Sequence, residues 1–137
     1  MMRVLFTTLF LAIAGLTYAL SPYLSKPIRA GNFYFVESVL PIDLDNGQLI
    51  VGDMETLTDA VITNIKKILH SVDLNLRDVV RTDVYLTDIR DYDAMNAVYS
   101  TFFHFNKDPA RDVRQVSNLL SNSRIAISCI AYDKSGN

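Results

Sequence analysis

The residues from Asp53 to Val72 constrain the fold of this chain more than any other segment. Apolar side chains recur there at spacings of three and four residues, which places them on one face of a helix: Leu57, Val61, Ile65, Ile68, Leu69 and Val72. Asp53 is a suitable N-cap, because its carboxylate can accept a hydrogen bond from a backbone N–H of the first helical turn. A helix with one apolar face has to bury that face, so the segment indicates a domain with a core.

Strand and helix patterns alternate along the rest of the chain, with turn residues between them. Residues 80–86 alternate between apolar and polar side chains, the period-two pattern of a strand with one buried side. Ala30-Gly31-Asn32 predicts a turn, and Asp45-Asn46-Gly47 is a strong hairpin signal. The predicted order is β, β, α, β, α, β, β. The first strand is at 33–40, the second follows the Asn46-Gly47 turn, and the others are at 80–86, 112–116 and 124–132, with helices at 53–72 and 91–103.

Length and composition bound the possible functions. The chain has 137 residues, the length of one ordinary domain, and carries 13 Lys and Arg against 15 Asp and Glu. This balance leaves no basic surplus to neutralise a phosphate backbone, so no nucleic-acid partner is expected.

Cys129 is the single cysteine, and its apolar neighbours predict a buried residue. His70 and His104 are not spaced as metal ligands with each other or with Cys129, so no metal site is predicted.

The N-terminal segment differs from the rest of the chain. Residues 1–20 contain one basic residue, Arg3, no acid, and an uninterrupted apolar run. This is the pattern of a secretory signal peptide, with Thr17 and Ala19 as the small residues before a cleavage site. The run is short for a membrane span, which needs about 20 residues. We therefore expect a signal peptide at 1–19 and a secreted or periplasmic domain at 20–137; the alternatives are an uncleaved membrane anchor and a buried core element.

The predicted elements also point to an oligomer. Two helices packed on one face of a sheet leave the other face uncovered, and a domain of this size has no further element to cover it. Packing of identical chains through the sheet or its edges would bury that surface.

Several phrases of the sequence resemble one protein family in both order and spacing. The resemblance covers about residues 21–132. The matching phrases are Ser21-Pro22-Tyr23, Arg29-Ala30-Gly31-Asn32, Val36-Glu37-Ser38-Val39-Leu40-Pro41, residues 43–49, residues 78–88, Met95-Asn96-Ala97-Val98-Tyr99 and Pro109-Ala110-Arg111. Together they resemble the RidA/YjgF family of small enamine and imine deaminases.

This resemblance implies a fold, an assembly and a chemistry. The fold is a chorismate-mutase-like α+β sheet with two helices on one face, and the assembly is a homotrimer with ligand clefts between subunits. The reaction is hydrolysis of reactive enamines or imines, such as 2-aminoacrylate, to 2-keto acids and ammonia. No metal or organic cofactor is required for it.

The resemblance also assigns candidate site residues. An imine acid must be held by its carboxylate while water attacks the C=N carbon, and arginine suits this task because its planar fork can bind a carboxylate through two hydrogen bonds. The binding arginine of the family falls on Arg111, and Tyr23, Ser38 and Asn96 fall on pocket positions. The alternatives are a structural charge for Arg111, interface packing for Tyr23 and a locally bonded polar helix residue for Asn96.

Three departures from the family pattern affect the site. Glu37 and Ser38 replace a serine and a glycine that line the cleft, and Ala126 replaces a glutamate that is proposed to handle the water. A methyl group cannot accept a proton. Glu37 is therefore a candidate base, or an internal partner for Arg111, or an exposed strand carboxylate. The alternative to a deaminase is a non-catalytic binder of small carboxylates or a protein-interaction role. An endoribonuclease would want a basic cleft or a His or Lys constellation, which the sequence does not show.

The signal-peptide pattern predicts that the mature protein, isolated from its own host, begins near Leu20. N-terminal sequencing or intact-mass measurement checks this, because removal of the segment shortens the chain by about 19 residues. A chain that still begins at Met1 or Met2 would leave the anchor or the core element as explanations.

Overall fold

The computed structural model describes residues 20–104 and 108–136. The predicted signal peptide lies outside these residues, so its processing remains a prediction. Within the described ranges, no helix has both the length and the hydropathy of a transmembrane span.

Five strands form one mixed sheet, and two helices pack on it. The strands are β1 (Ile28–Ala30), β2 (Phe33–Val39), β3 (Val79–Leu86), β4 (Ala110–Gln115) and β5 (Ile125–Tyr132), and the helices are α1 (Met54–His70) and α2 (Tyr92–Phe102). The strand order is β1-β2-β5-β3-β4. Neighbouring strands are antiparallel except β3 and β4, which are parallel. A parallel pair needs a crossover connection, and helix α2 supplies it.

Helix α1 forms where its apolar periodicity and cap predict it. The Asp53 carboxylate accepts a hydrogen bond from the Thr56 backbone N–H at 2.8 Å. Hydrogen bonding by the Thr56 side chain, and then by this backbone N–H, lowers the pKa of Asp53, because both stabilise the ionised carboxylate. The buried face packs on β2, β5 and α2 through Leu57, Val61, Ile62, Ile65, Ile68 and Leu69.

The two helices cover one face of the sheet, which confirms the α+β fold class. Alternate residues of β3 and β5, such as Val84 and Ile127, lie in the core beneath the helices. The opposite face, which we call the open face, carries Phe33 and Phe35 of β2, each more than two-fifths exposed. Phe33 packs edge-to-face on Tyr132 of β5, with ring centroids 5.1 Å apart. This apolar surface is the one that we expect copies of the chain to cover.

The far end of the open face is charged. Arg81 pairs with Asp83 on β3, at 2.8 Å, and Arg114 pairs with Asp112 on the neighbouring strand β4. Hydrogen bonding to Arg81 lowers the pKa of Asp83. The open face thus has an apolar part on β2 and β5 and a polar part on β3 and β4.

The predicted turn at Asn46-Gly47 forms, but the pairing on either side of it is short. An antiparallel bridge joins Ile42 and Leu49, and the Ile50 N–H donates to the Pro41 carbonyl at 2.8 Å. This pairing does not extend into the further strand that the sequence predicts after the turn. The first strand of the sheet is instead β1, which joins β2 through the predicted turn at Gly31.

Gly31 and Gly47 form a matched pair for a stability test. Both have positive φ, 60° and 74°, so alanine at either position should cost about 1–2 kcal/mol. A Cβ at Gly31 meets open space, whereas a Cβ at Gly47 would overlap the Tyr23 ring. Gly47→Ala should therefore lower the free energy of unfolding by about 1–3 kcal/mol more than Gly31→Ala, as overpacking does.

Urea denaturation of both variants measures this difference. The extra loss should disappear when Gly47→Ala is made in a Tyr23→Ala background. Equal losses in the two single variants would show that Tyr23 does not pack on Gly47.

Candidate functional site

Arg111 lies near the start of the edge strand β4 and reaches the helix side of the sheet. In the parallel register it stands beside Thr82. Its Nη1 donates to Asn96 Oδ1 at 2.7 Å, and its Nη2 donates to the Tyr92 hydroxyl at 2.9 Å. The guanidinium also lies over the Tyr99 ring, with Cζ 4.6 Å from the centroid. Tyr92, Asn96 and Tyr99 of α2 thus hold Arg111 in one orientation.

These three helix residues share one face of α2. Their spacings of four and three residues bring their side chains into line on a helix. Tyr99 is the most buried of them, and its hydroxyl shares a 2.7 Å hydrogen bond with Thr82 Oγ1. Burial raises the pKa of Tyr99, so its hydroxyl stays neutral at physiological pH. Tyr99 therefore forms a fixed, uncharged support beneath the guanidinium.

The charge of Arg111 is not neutralised by a carboxylate in the described part of the chain. Its side-chain partners there are the amide of Asn96 and the hydroxyl of Tyr92, which are both neutral. By contrast, Arg90 pairs with Asp88 and Arg124 pairs with Asp91, at 2.7 and 2.9 Å. Two of the five guanidinium N–H groups of Arg111 are used by Asn96 and Tyr92, which leaves donors for an anion.

A small cavity opens beside Arg111. Its volume is about 240 Å³, and it lies between the second half of α2 and the start of β4. This volume is below the usual range for drug-sized ligands and suits a molecule of a few heavy atoms. The lining residues are Asn96, Tyr99, Ser100, Phe103, Asp108, Pro109 and Arg111.

Glu37 and Ser38 lie on β2, away from Arg111. They occupy a β-bulge between the pairs Val36–Cys129 and Val39–Ile127, and both are exposed. Strands β5 and β3 stand between β2 and β4, so the two positions are separated by three strand spacings, about 14 Å. Within one chain, Glu37 therefore does not reach Arg111.

Tyr23 and Ala126 also lie apart from the Arg111 cavity. Tyr23 packs against Gly47 in the loop before α1. Ala126 is fully buried and pairs with Tyr85 across the sheet, with its side chain on the side away from the helices. Of the residues predicted for the site, the chain brings Arg111 and Asn96 together and leaves Tyr23, Glu37 and Ser38 elsewhere.

Two supporting residues were not predicted for the site. The apolar pattern of the second helix places Tyr92 and Tyr99 on its inner side, which predicts core residues, and Tyr99 is indeed buried. The sequence signal that could have indicated them is their spacing of four and three residues around Asn96, since it places Tyr92, Asn96 and Tyr99 on the helix face toward β4. Their contact with Arg111 depends on the parallel pairing of β3 and β4, which sequence periodicity does not specify.

Other reactive groups do not add to this site. Cys129 is buried, and burial raises the pKa of its thiol to about 12, so the thiolate is scarce at neutral pH. Among residues 20–104 and 108–136, no group of three or more His, Cys, Asp or Glu side chains is arranged to hold a metal ion.

Known proteins match most of the chain. The family model described as Endoribonuclease L-PSP matches residues 16–133. A RutC family protein from Pyrococcus abyssi is 43% identical over 113 residues, which is 82% of this chain and 87% of the relative. The chloroplastic Reactive Intermediate Deaminase A of Arabidopsis thaliana is 34% identical over 113 residues, covering 82% of this chain and 59% of the relative.

Solved structures share the fold. The crystal structure of a Thermotoga maritima protein, described as a candidate endoribonuclease, matches with a TM-score of 0.77 and 36% identity, covering 85% of this chain and 90% of that one. The sheet order, the helix arrangement and these matches agree: the chain belongs to the RidA/YjgF family, also called the endoribonuclease L-PSP family.

Proposed function

We propose that this protein hydrolyses small enamine or imine acids of the 2-aminoacrylate type to 2-keto acids and ammonia. One observation carries the proposal: Arg111 is held by neutral groups at the wall of a small cavity, so its charge is available to a ligand carboxylate. The name of the Arabidopsis relative, a reactive intermediate deaminase, supports the same chemistry.

The arrangement suits binding of the substrate before hydrolysis. Arg111 binds the carboxylate, and the amide of Asn96 offers a further donor beside it. Water then adds to the C=N carbon of the imine, and its proton moves to the nitrogen. The C–N bond of the tetrahedral intermediate breaks, ammonia leaves, and the carbon keeps the water oxygen as a carbonyl. Holding the acid in a fixed orientation favours this attack.

The reaction needs a group that handles the water proton, and Ala126 cannot do so. We propose Glu37 for this role, with Ser38 and Tyr23 completing the binding surface. Since Glu37 is about three strand spacings from Arg111 of its own chain, it would have to come from a neighbouring subunit. The exposed position of Glu37 and Ser38 on β2, next to the apolar open face, supports a cleft between copies of the chain.

We therefore expect a homotrimer in solution. Light scattering should give three times the mass of one chain at micromolar concentration. Phe35→Glu should produce a monomer, because it places a charge in the apolar part of the open face, and circular dichroism should show that the variant stays folded. If the wild-type protein is a monomer, the proposed cleft between subunits does not exist, and Glu37 cannot have the proposed role.

Arg111 should be required for activity. In a coupled assay, a lyase generates 2-aminoacrylate and release of the keto acid is followed with and without this protein. A charge-assisted contact is worth about 1.5–3 kcal/mol, so Arg111→Ala should lower kcat/KM by roughly ten- to a hundredfold. Arg90→Ala is the matched control, because Arg90 pairs with Asp88 at an exposed site. Equal activity of the wild type, Arg111→Ala and Arg90→Ala would show that Arg111 has only a structural role.

Glu37 should weaken anion binding if it faces Arg111 across the cleft. Its carboxylate would then compete with the substrate for the guanidinium, so Glu37→Ser should bind pyruvate more tightly than the wild type. The same substitution should lower turnover if Glu37 handles the water proton. Calorimetric titration and the coupled assay measure the two effects. Unchanged affinity and turnover would make Glu37 an ordinary surface carboxylate.

A non-catalytic binder of small carboxylates is the second candidate. Ala126 favours it, because the position is closed to solvent and carries no proton acceptor. Such a protein would bind pyruvate through Arg111 without accelerating keto-acid release. An endoribonuclease is disfavoured, since none of the described residues that line the cavity is a histidine or lysine and the formal net charge is −2. Secretion of the protein is likewise proposed from the N-terminal sequence alone.

A further inference from the structure

The cavity beside Arg111 contains a charge of the opposite sign. Asp108 lines the same cavity of about 240 Å³, immediately before the start of β4. Its carboxylate lies close enough to Tyr99 to add to the effect of burial in raising the pKa of the Tyr99 hydroxyl. Asp108 therefore shares the cavity with Asn96 and Tyr99, the two lining residues that support Arg111.

Asp108 and Arg111 do not neutralise each other. Among the described residues, no ion pair joins them, while four other arginines pair with neighbouring aspartates. The guanidinium is held toward Asn96 and Tyr92 of α2 instead. The cavity thus presents a cation and an anion as two separate binding groups.

This pair of charges distinguishes the forms of an imine acid. The protonated imine is a zwitterion, with a carboxylate on one carbon and a cationic nitrogen on the next. The keto-acid product keeps the carboxylate but has a neutral carbonyl oxygen in place of the nitrogen. A carboxylate near that position attracts the cationic nitrogen and gives no charge-assisted bond to the carbonyl.

We propose that Asp108 recognises the positively charged nitrogen of the substrate and makes the site selective for zwitterionic 2-imino acids over their keto-acid products. This inference rests on the proposed function and names the form of the substrate that the site binds. Asp108 acts in recognition: it orients the C=N bond by its nitrogen while Arg111 holds the carboxylate. Hydrolysis then replaces the cationic nitrogen with a neutral oxygen, which removes the attraction of Asp108 and favours product release.

The test compares a zwitterion with an anion of the same carbon skeleton. L-alanine is an unreactive stand-in for the protonated imine, and pyruvate is the product. Calorimetric titration of both into the full-length protein gives the ratio of their dissociation constants. Asp108→Asn keeps the size of the side chain and removes its charge. Asp59→Asn is the matched control, because Asp59 is an exposed residue of α1 outside this cavity.

Asp108→Asn should weaken L-alanine binding by about tenfold, the loss of one charge-assisted contact. Pyruvate binding should stay the same or become tighter, because a negative charge near the anion is removed. Asp59→Asn should change neither value. An L-alanine to pyruvate ratio that is the same in Asp108→Asn and in the wild type would overturn the inference.

Arg111→Ala separates this inference from the proposed function. If pyruvate binding depends on Arg111 while Asp108→Asn leaves the ratio unchanged, only the role of Asp108 fails. If binding of neither L-alanine nor pyruvate depends on Arg111, then Arg111 does not bind the ligand carboxylate, and both the proposed function and this inference are wrong. Circular dichroism of each variant shows whether a loss of binding reflects loss of the fold.

Discussion

The hydrogen bond between Tyr99 and Thr82 connects the core of this protein to its candidate site. Both residues are buried, and each hydroxyl satisfies the other. Removal of one partner would leave a buried polar group unsatisfied, at a cost of about 1–3 kcal/mol. The bond also fixes α2 against β3. Strand β4 lies parallel to β3 at the edge of the sheet. Arg111 consequently meets Tyr99 at a distance that the core determines.

Most of the fold follows from patterns that the sequence displays. The apolar stripe of α1 and the alternation of β3 are local properties, and both elements form within two residues of their predicted ends. The turn at Gly47 is also a local property and forms as predicted, but the pairing around it stays short and adds no further strand to the sheet. Strand order is a tertiary property, since it depends on which faces pack together. The parallel pairing of β3 with β4 therefore emerges only from the structure.

The candidate site was predictable only in part for the same reason. Arg111 and Asn96 are far apart in sequence, and a family resemblance was needed to associate them. The structure brings them within 2.7 Å and adds Tyr92 and Tyr99, whose aromatic character had suggested the core. Glu37 and Ser38 were predicted for the same pocket, yet they lie on β2, which is separated from β4 by two strands of the sheet. The two groups of residues lie apart in one chain, because the distance between their strands depends on strand order, which no local pattern specifies.

The burial of Ala126 limits which side chains this position can hold. The methyl group has no exposure to solvent and stands beside Tyr85 on the neighbouring strand. A carboxylate introduced there would lose its hydration and would need a hydrogen-bond donor in return. Ala126→Glu alone would therefore be destabilising, and a glutamate could be accommodated at this position only together with changes in the residues around it.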